Sequence, residues 1–236
     1  MIDRRLNYGR ETIDRWLASM QRVGCAVDLG AGFGDDLLAV RRWHPEARLL
    51  AVENHPYAIE RLGAHGIETT AIDIERDALP IADGAADVVI ANQILEHTKD
   101  IFWVLHEATR CLAVGGSLLV GVPNLASLHN RVLLAIGRQP SVIKSDSAHV
   151  RGFTRDDLAA FLSAGFPGGY ELLAARGANF YPMPPTLARP LARLLPTMAW
   201  GLMLRFVKRK AYADGFRKRV QTAGFETRFY IGEAPD

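Results

Sequence analysis

Residues 25–34 read CAVDLGAGFG: a short apolar run ending at Asp28 and Leu29, then glycines at 30, 32 and 34, then the helix-like segment DDLLAVRRW. This order constrains the chain more than any other feature. Three closely spaced glycines between a strand and a helix make a tight turn with bare backbone, and the helix start behind it offers N–H groups without partners. Such a turn either only redirects the chain or lets a ligand touch the main chain.

The rest of the first half repeats the strand–helix alternation. ARLLAVE (47–53) reads as a second strand, and PYAIERLGAHG as a helix opened by Pro56 and closed near Gly66. IETTAID (67–73) reads as a third strand. ADVVIAN (86–92) has the unbroken apolar character of a strand buried on both faces. DIFWVLHEATRCL is a helix and GGSLLVGVP a fifth strand. Ahead of them, Ile13, Trp16, Leu17 and Met20 share one face of an opening helix. Alternation of this kind predicts an α/β fold with a mostly parallel sheet and helices on both faces. Farther on, Thr154 followed by Asp157 marks a capped helix that stops at Gly165, YELLAARGANFY and WGLMLRFV are further strands, and a short helix lies around Leu187–Leu195. From Ala211 the chain reads as a basic helix-like piece and then FETRFYIG, a candidate strand.

Composition narrows the function. The 236 residues carry 28 Lys and Arg against 26 Asp and Glu, a net charge of +2, too small to argue for a nucleic-acid partner. Cys25 and Cys111 are isolated, so neither a disulfide framework nor a zinc spacing is present. His44, His55, His65, His106 and His129 show no metal-ligand spacing with each other or with acids, and the expectation is that no metal is bound. The N-terminal stretch has basic residues but no apolar run behind them, and no 18-residue apolar stretch occurs, so the expectation is a cytoplasmic protein.

Charge separates the ligands a glycine turn can hold. A dinucleotide fingerprint requires glycine at position 35, which is Asp35, and Asp36 follows it. Two carboxylates there repel a pyrophosphate, and no Gly-Lys-Ser/Thr follows for a P-loop. A zwitterion with a positive centre suits a turn flanked by Asp28, Asp35 and Asp36. In an open parallel sheet the carboxyl ends of the strands meet in one crevice, which gathers Asp28, Glu53, Asp73 and Asn92. Glu53 is placed to accept the two hydroxyls of a ribose, and Asp73 with Ile74 to meet an adenine. Singly, each of these residues is more often a solvated loop residue, but four stand at four successive strand ends.

The segments VDLGAGFG, AVENHP, AIDIERDALPIADGAADVVIANQILEH and HVRGFTRDDLAAFLSAGF together resemble the successive motifs of class I S-adenosylmethionine-dependent methyltransferases, in particular the small-molecule branch that includes ubiquinone-type methyltransferases. The resemblance spans residues 23–123 and 149–166. It implies a Rossmann-like seven-stranded sheet, six strands parallel and the last, WGLMLRFV, antiparallel. It also implies a single methyltransferase domain over residues 1–210, a lid-like acceptor-side insertion at 124–150, and a C-terminal extension, 211–236, with no assigned role. For the cofactor S-adenosylmethionine and its product S-adenosylhomocysteine, it implies that Gly30, Ala31, Gly32, Phe33 and Gly34 face the methionine part. Glu53 and Asn54 then hold the ribose, Asp73 and Ile74 the adenine, and Asn92, Gln93 and His97 border the methionine and sulfonium.

Methyl transfer from a sulfonium needs alignment more than a strong acid or base, so few catalytic residues are expected to stand out. His97 is a candidate beside the reacting groups, with capping or packing of the next helix as the alternative. His149 is a candidate base or acceptor contact and Arg151 a candidate anion-orienting group, with exposed loop residues as the alternative. The expected acceptor is a small molecule, methylated most readily on oxygen. Residues 182–210 place apolar side chains beside Lys208-Arg209-Lys210, which suits either a lipid surface or, as the favoured reading, a strand with a solvated basic end. A methyltransferase-fold module that binds without turnover is the competing functional class.

Overall fold

The computed structural model describes residues 4–221. In chain order the elements are α1 (Arg4–Asn7), α2 (Arg10–Ala18), β1 (Cys25–Leu29), α3 (Asp35–Trp43), β2 (Arg48–Val52), α4 (Pro56–Ala64), β3 (Glu68–Thr70), β4 (Ala86–Asn92), α5 (Ile101–Cys111), β5 (Leu112–Pro123), α6 (Leu128–Ala135), α7 (Arg155–Gly165), β6 (Tyr170–Ala178), α8 (Pro185–Leu194), β7 (Gly201–Lys208) and α9 (Gly215–Gln221). The seven strands form one sheet in the order β3-β2-β1-β4-β5-β7-β6. β7 runs antiparallel to both β5 and β6, and the four strand pairs that β1 to β5 make are all parallel, so β7 alone is reversed. The Rossmann-like sheet with an antiparallel last strand is therefore as expected.

Why the central strands are apolar without a break follows from their period of two. Val27, Leu29, Leu50, Val52, Val89 and Ala91 join one core with residues of α5, α7 and α9. Ala26, Leu49, Ala51, Val88 and Ile90 join the opposite core with α2, α3 and Leu62 of α4. Both faces are covered, so no position on these strands can be polar without a purpose. Asp28, buried in the middle of that pattern, is the exception.

Two expectations shift. β3 is shorter than 67–73: it stops at Thr70, and the residues that follow leave the sheet edge in a turn where the Asp73 carboxylate accepts the Glu75 N–H and the Asp77 carboxylate accepts the Asp73 N–H. β5 starts earlier, at Leu112, because an irregularity takes its pairing from Ala86↔Leu112 to Val88↔Ser117. Beyond residue 210, Phe216 of α9 is buried against Phe161 and the Tyr212 hydroxyl pairs with His106. FETRFYIG lies outside the described residues.

The basic run at the end of β7 divides between the core and the surface. Lys208 is buried and donates to the Thr109 and Leu112 carbonyls, Arg209 pairs with Glu171, and Lys210 lies over the Phe166 ring. The strand is apolar because it is core, and Arg209 and Lys210 stay exposed at its end. Among the described residues no helix is long and apolar enough to cross a membrane.

Candidate functional site

In the order β3-β2-β1-β4-β5 the chain winds outward in both directions from β1 and β4, so their carboxyl ends flank a switch-point crevice. The glycine turn forms its floor. The Gly30 and Ala31 N–H groups donate to the Val52 carbonyl at 2.8 and 3.2 Å, tying the turn to the end of β2. Glu53 completes the staple: one carboxylate oxygen accepts the Gly32 N–H at 2.8 Å, and the other accepts the Asn54 and His55 N–H groups, both at 2.9 Å.

The three glycines differ in purpose although all have positive φ. A side chain on Gly34 would meet Leu62 at 2.7 Å, so this glycine lets α3 pack on α4. A side chain on Gly30 would meet Ile94 at 2.7 Å. At Gly32 nothing lies within 4 Å, so its bare face is turned to open space. Phe33 is exposed and set edge-on to Tyr57, while Ala31 is buried.

A cleft of about 270 Å³ opens beside this turn, lined by Gly30, Val52, Glu53, Asn54, Ile72, Asp73, Ile74, Glu75, Ile94, His97 and Thr98. Gly30, Glu53, Asn54, Asp73, Ile74 and His97 were expected in a common site and share this cleft. The other expected residues lie around it. Asp28 is buried, and burial together with the neighbouring Asp36 charge holds its carboxyl well above the carboxylate range, against the pull of Arg10. Asn92, at the end of β4, donates to Asp36 at 2.8 Å and to the Tyr8 carbonyl at 3.1 Å, while its own carbonyl oxygen is buried without a partner. Gln93 follows with φ at 59°, a left-handed conformation that a non-glycine residue rarely holds away from functional turns.

Tyr8 and Arg10 were missed from sequence. Arg10 lies 2.5 Å from Asp35 and 3.9 Å from Asp36, so it offsets part of the acidity ascribed to the helix start. Charge complementarity between Arg10 and the Asp35-Asp36 pair was the available signal, but nothing in the spacing brings residue 10 to residue 35.

Beside the cleft, the turn after β4 meets the chain segment that returns toward α7. His97 closes a short 3-10 turn, Leu95–His97, and its ring lies edge-on to His149 with centroids 4.7 Å apart. His97 Nδ1 is 3.3 Å from the Ala148 carbonyl and His149 Nδ1 is 2.8 Å from the Val142 carbonyl. Burial first, and His149 second, hold the His97 imidazole below its usual pKa. Arg151 donates to the Thr98 and Lys99 carbonyls at 3.2 and 2.6 Å, so two of its N–H groups fasten the insertion to that turn. The insertion itself carries α6, with Leu128, Val132 and Leu134 exposed.

Glu96, between Leu95 and His97, was also overlooked. It is 1% exposed, neither carboxylate oxygen has a hydrogen-bond partner, and burial pushes its carboxyl up to about 7. Its side chain, His97 and His149 bring three ligand-type atoms within 4.8 Å of one another. The expectation of no metal rested on spacing along the chain, and Glu96 and His97 are far in sequence from His149, so the fold makes a grouping that spacing could not display.

Residues 27–120 match the methyltransferase domain family. Among curated proteins, the release factor glutamine methyltransferase of Mycolicibacterium smegmatis is 39% identical over 89 residues, covering 35% of this chain and 32% of the relative. A probable S-adenosylmethionine-dependent methyltransferase of Mycobacterium tuberculosis is 29% identical over 146 residues, covering 61% of this chain and 47% of the relative. The chain thus spans less than half the length of either. Among solved structures, an S-adenosylmethionine-dependent methyltransferase of Thermotoga maritima superposes with a TM-score of 0.62 at 19% identity, covering 87% of this chain and 91% of that one, a likeness of fold.

Proposed function

We propose that this chain, whose residues 27–120 match the methyltransferase domain family, is a class I S-adenosylmethionine-dependent methyltransferase that transfers the methyl group of S-adenosylmethionine to a hydroxyl oxygen of a small-molecule acceptor. In this reading the S–CH3 bond breaks with its electron pair returning to sulfur, the O–CH3 bond forms on the opposite side of the carbon, and the hydroxyl proton leaves to solvent. S-Adenosylhomocysteine is released.

The observation that carries the reading is the Glu53 carboxylate, which joins the glycine turn to the end of β2 while lining the cleft. Its three backbone donors preset the carboxylate's orientation and leave an acceptor site on the oxygen bonded to Gly32 for a ribose hydroxyl. Asn54 flanks it. Asp73 and Ile74 supply an acceptor edge and an apolar face for adenine. Buried Asp28 is placed for the ligand's ammonium group: a cation beside it stabilises the ionised form that burial disfavours. Asn92 and Gln93 border the methionine part, with Gly30, Ala31, Gly32, Phe33 and Gly34 shaping the turn beneath it. His97, His149 and Arg151 define the acceptor side. The names of the relatives do not choose among acceptors, since one acts on a release-factor glutamine by its name.

The test is calorimetric titration with S-adenosylhomocysteine. Micromolar binding is expected, weakened at least tenfold in Glu53→Ala, about 1.4 kcal/mol. A folded protein that does not bind overturns the proposal. Binding without methyl transfer from labelled S-adenosylmethionine to any hydroxylated metabolite pool would mark a module without turnover instead.

A further inference from the structure

We propose that Glu96, His97 and His149 form a site for one divalent transition-metal ion of the zinc class, placed to hold the acceptor's oxygen. The site lies beside the cofactor cleft, which His97 and Thr98 line. Its three ligand atoms are within 4.8 Å of one another. Zinc bonds to nitrogen and oxygen of about 2.0–2.2 Å would draw them together by roughly an ångström.

Three independent features favour an ion over a bare cluster. Both imidazoles turn Nδ1 to a backbone carbonyl, Ala148 for His97 and Val142 for His149. A donor Nδ1–H in each case leaves the Nε2 lone pair as the free ligand atom, the arrangement that metal-bound histidines use. Glu96 is 1% exposed with both oxygens unpartnered, and a buried carboxylate without hydrogen bonds needs either a proton or a cation. The nearby guanidinium does not supply that cation, because Arg151 is turned to the Thr98 and Lys99 carbonyls.

The ligand set selects the ion. Two imidazoles and one carboxylate suit zinc, cobalt, nickel or iron, and are poor ligands for magnesium or calcium, which take oxygen. Three protein ligands leave a position open. An acceptor hydroxyl bound there loses its proton to solvent at a lower pH than in water and meets the methyl group as an oxyanion. This use of the ion rests on the methyltransferase reading, whereas the ion site itself does not.

The full chain, freed of metal by a chelator, is titrated calorimetrically with zinc chloride and spectroscopically with cobalt chloride. The expected result is one ion per chain, a visible cobalt spectrum of four- or five-coordinate type, and zinc affinity at least tenfold weaker in both Glu96→Gln and His149→Ala. Absence of zinc binding by the native chain overturns the proposal, as does unchanged affinity in a folded Glu96→Gln. Should that variant fail to fold, His149→Ala and the native cobalt spectrum decide in the same way. S-Adenosylhomocysteine is titrated into the same samples. Binding of it without zinc rejects the ion and keeps the methyltransferase reading, while zinc without it keeps the ion site and rejects that reading.

Discussion

On the Glu53 side of the crevice, the sheet itself does the positioning. The Gly30 and Ala31 N–H groups reach the Val52 carbonyl beyond the last rungs of the β1–β2 ladder, and Glu53 is the first residue past β2. On the Glu96 side, His149 and Arg151 belong to no helix or strand and are held one bond at a time, His149 on Val142 and Arg151 on Thr98 and Lys99. The first side inherits its geometry from elements that pack on two cores. The second inherits it from chain segments meeting across 50 residues or so of intervening fold, and it contains the buried acid with no partner. One side of the crevice is thus fixed by the framework, and the other is left to irregular chain, the kind of segment that varies most readily.

The sharpest way to break this contrast is within the glycine turn. Alanine at Gly34 carries the left-handed backbone cost and must also displace Leu62, so a loss of about 3 kcal/mol is expected in urea denaturation. Alanine at Gly32 meets no atom and should lose only about 1–2 kcal/mol. Equal losses would mean that the two glycines are not divided between framework and ligand face.

Arg151→Ala tests the other side. Removing a charged donor from two carbonyls should cost about 2 kcal/mol, and amide exchange should quicken at Val150 and through residues 96–99 but not in β1, β2 or β4. Exchange rising across the sheet as well would show that the acceptor side is part of the framework after all. The smallest effect is expected at Thr154, whose hydroxyl accepts the Asp157 N–H at the start of α7. Thr154→Ala should cost about 1 kcal/mol, read as a fall in Tm of roughly 2–4 °C. No fall would mean that burial of Leu158 and Leu162 alone sets where α7 begins.

What could be read from sequence divides along the same line. β4 was legible to the residue because both of its faces are buried and its apolar run is unbroken, and Thr154 announced α7 by its side-chain chemistry. Glu53 was legible because strand ends converge in any sheet of this kind. β3 was overdrawn, since Ile72 and Ile74 carry the apolar pattern of a strand while serving the cleft wall. Glu96 was illegible: an acid between two turn residues looks solvated, and only the returning chain, whose Val150 N–H bonds the Glu96 carbonyl at 2.8 Å, buries it. Arg10 and Tyr8 were illegible for a similar reason, as their partners lie on β4 and α3.

Asn124 and Phe153 form a parallel bridge, and the Leu125 N–H bonds the Phe153 carbonyl at 2.9 Å. The chain therefore leaves the end of β5 and comes back to its point of departure before α7 begins. Since the ends are already fastened together, the entropy of closing the excursion depends only weakly on how many residues it contains. Residues 125–152 are in effect a cassette, held at two anchors that the sheet and α7 already fix, so a change in its length is expected to cost the scaffold little.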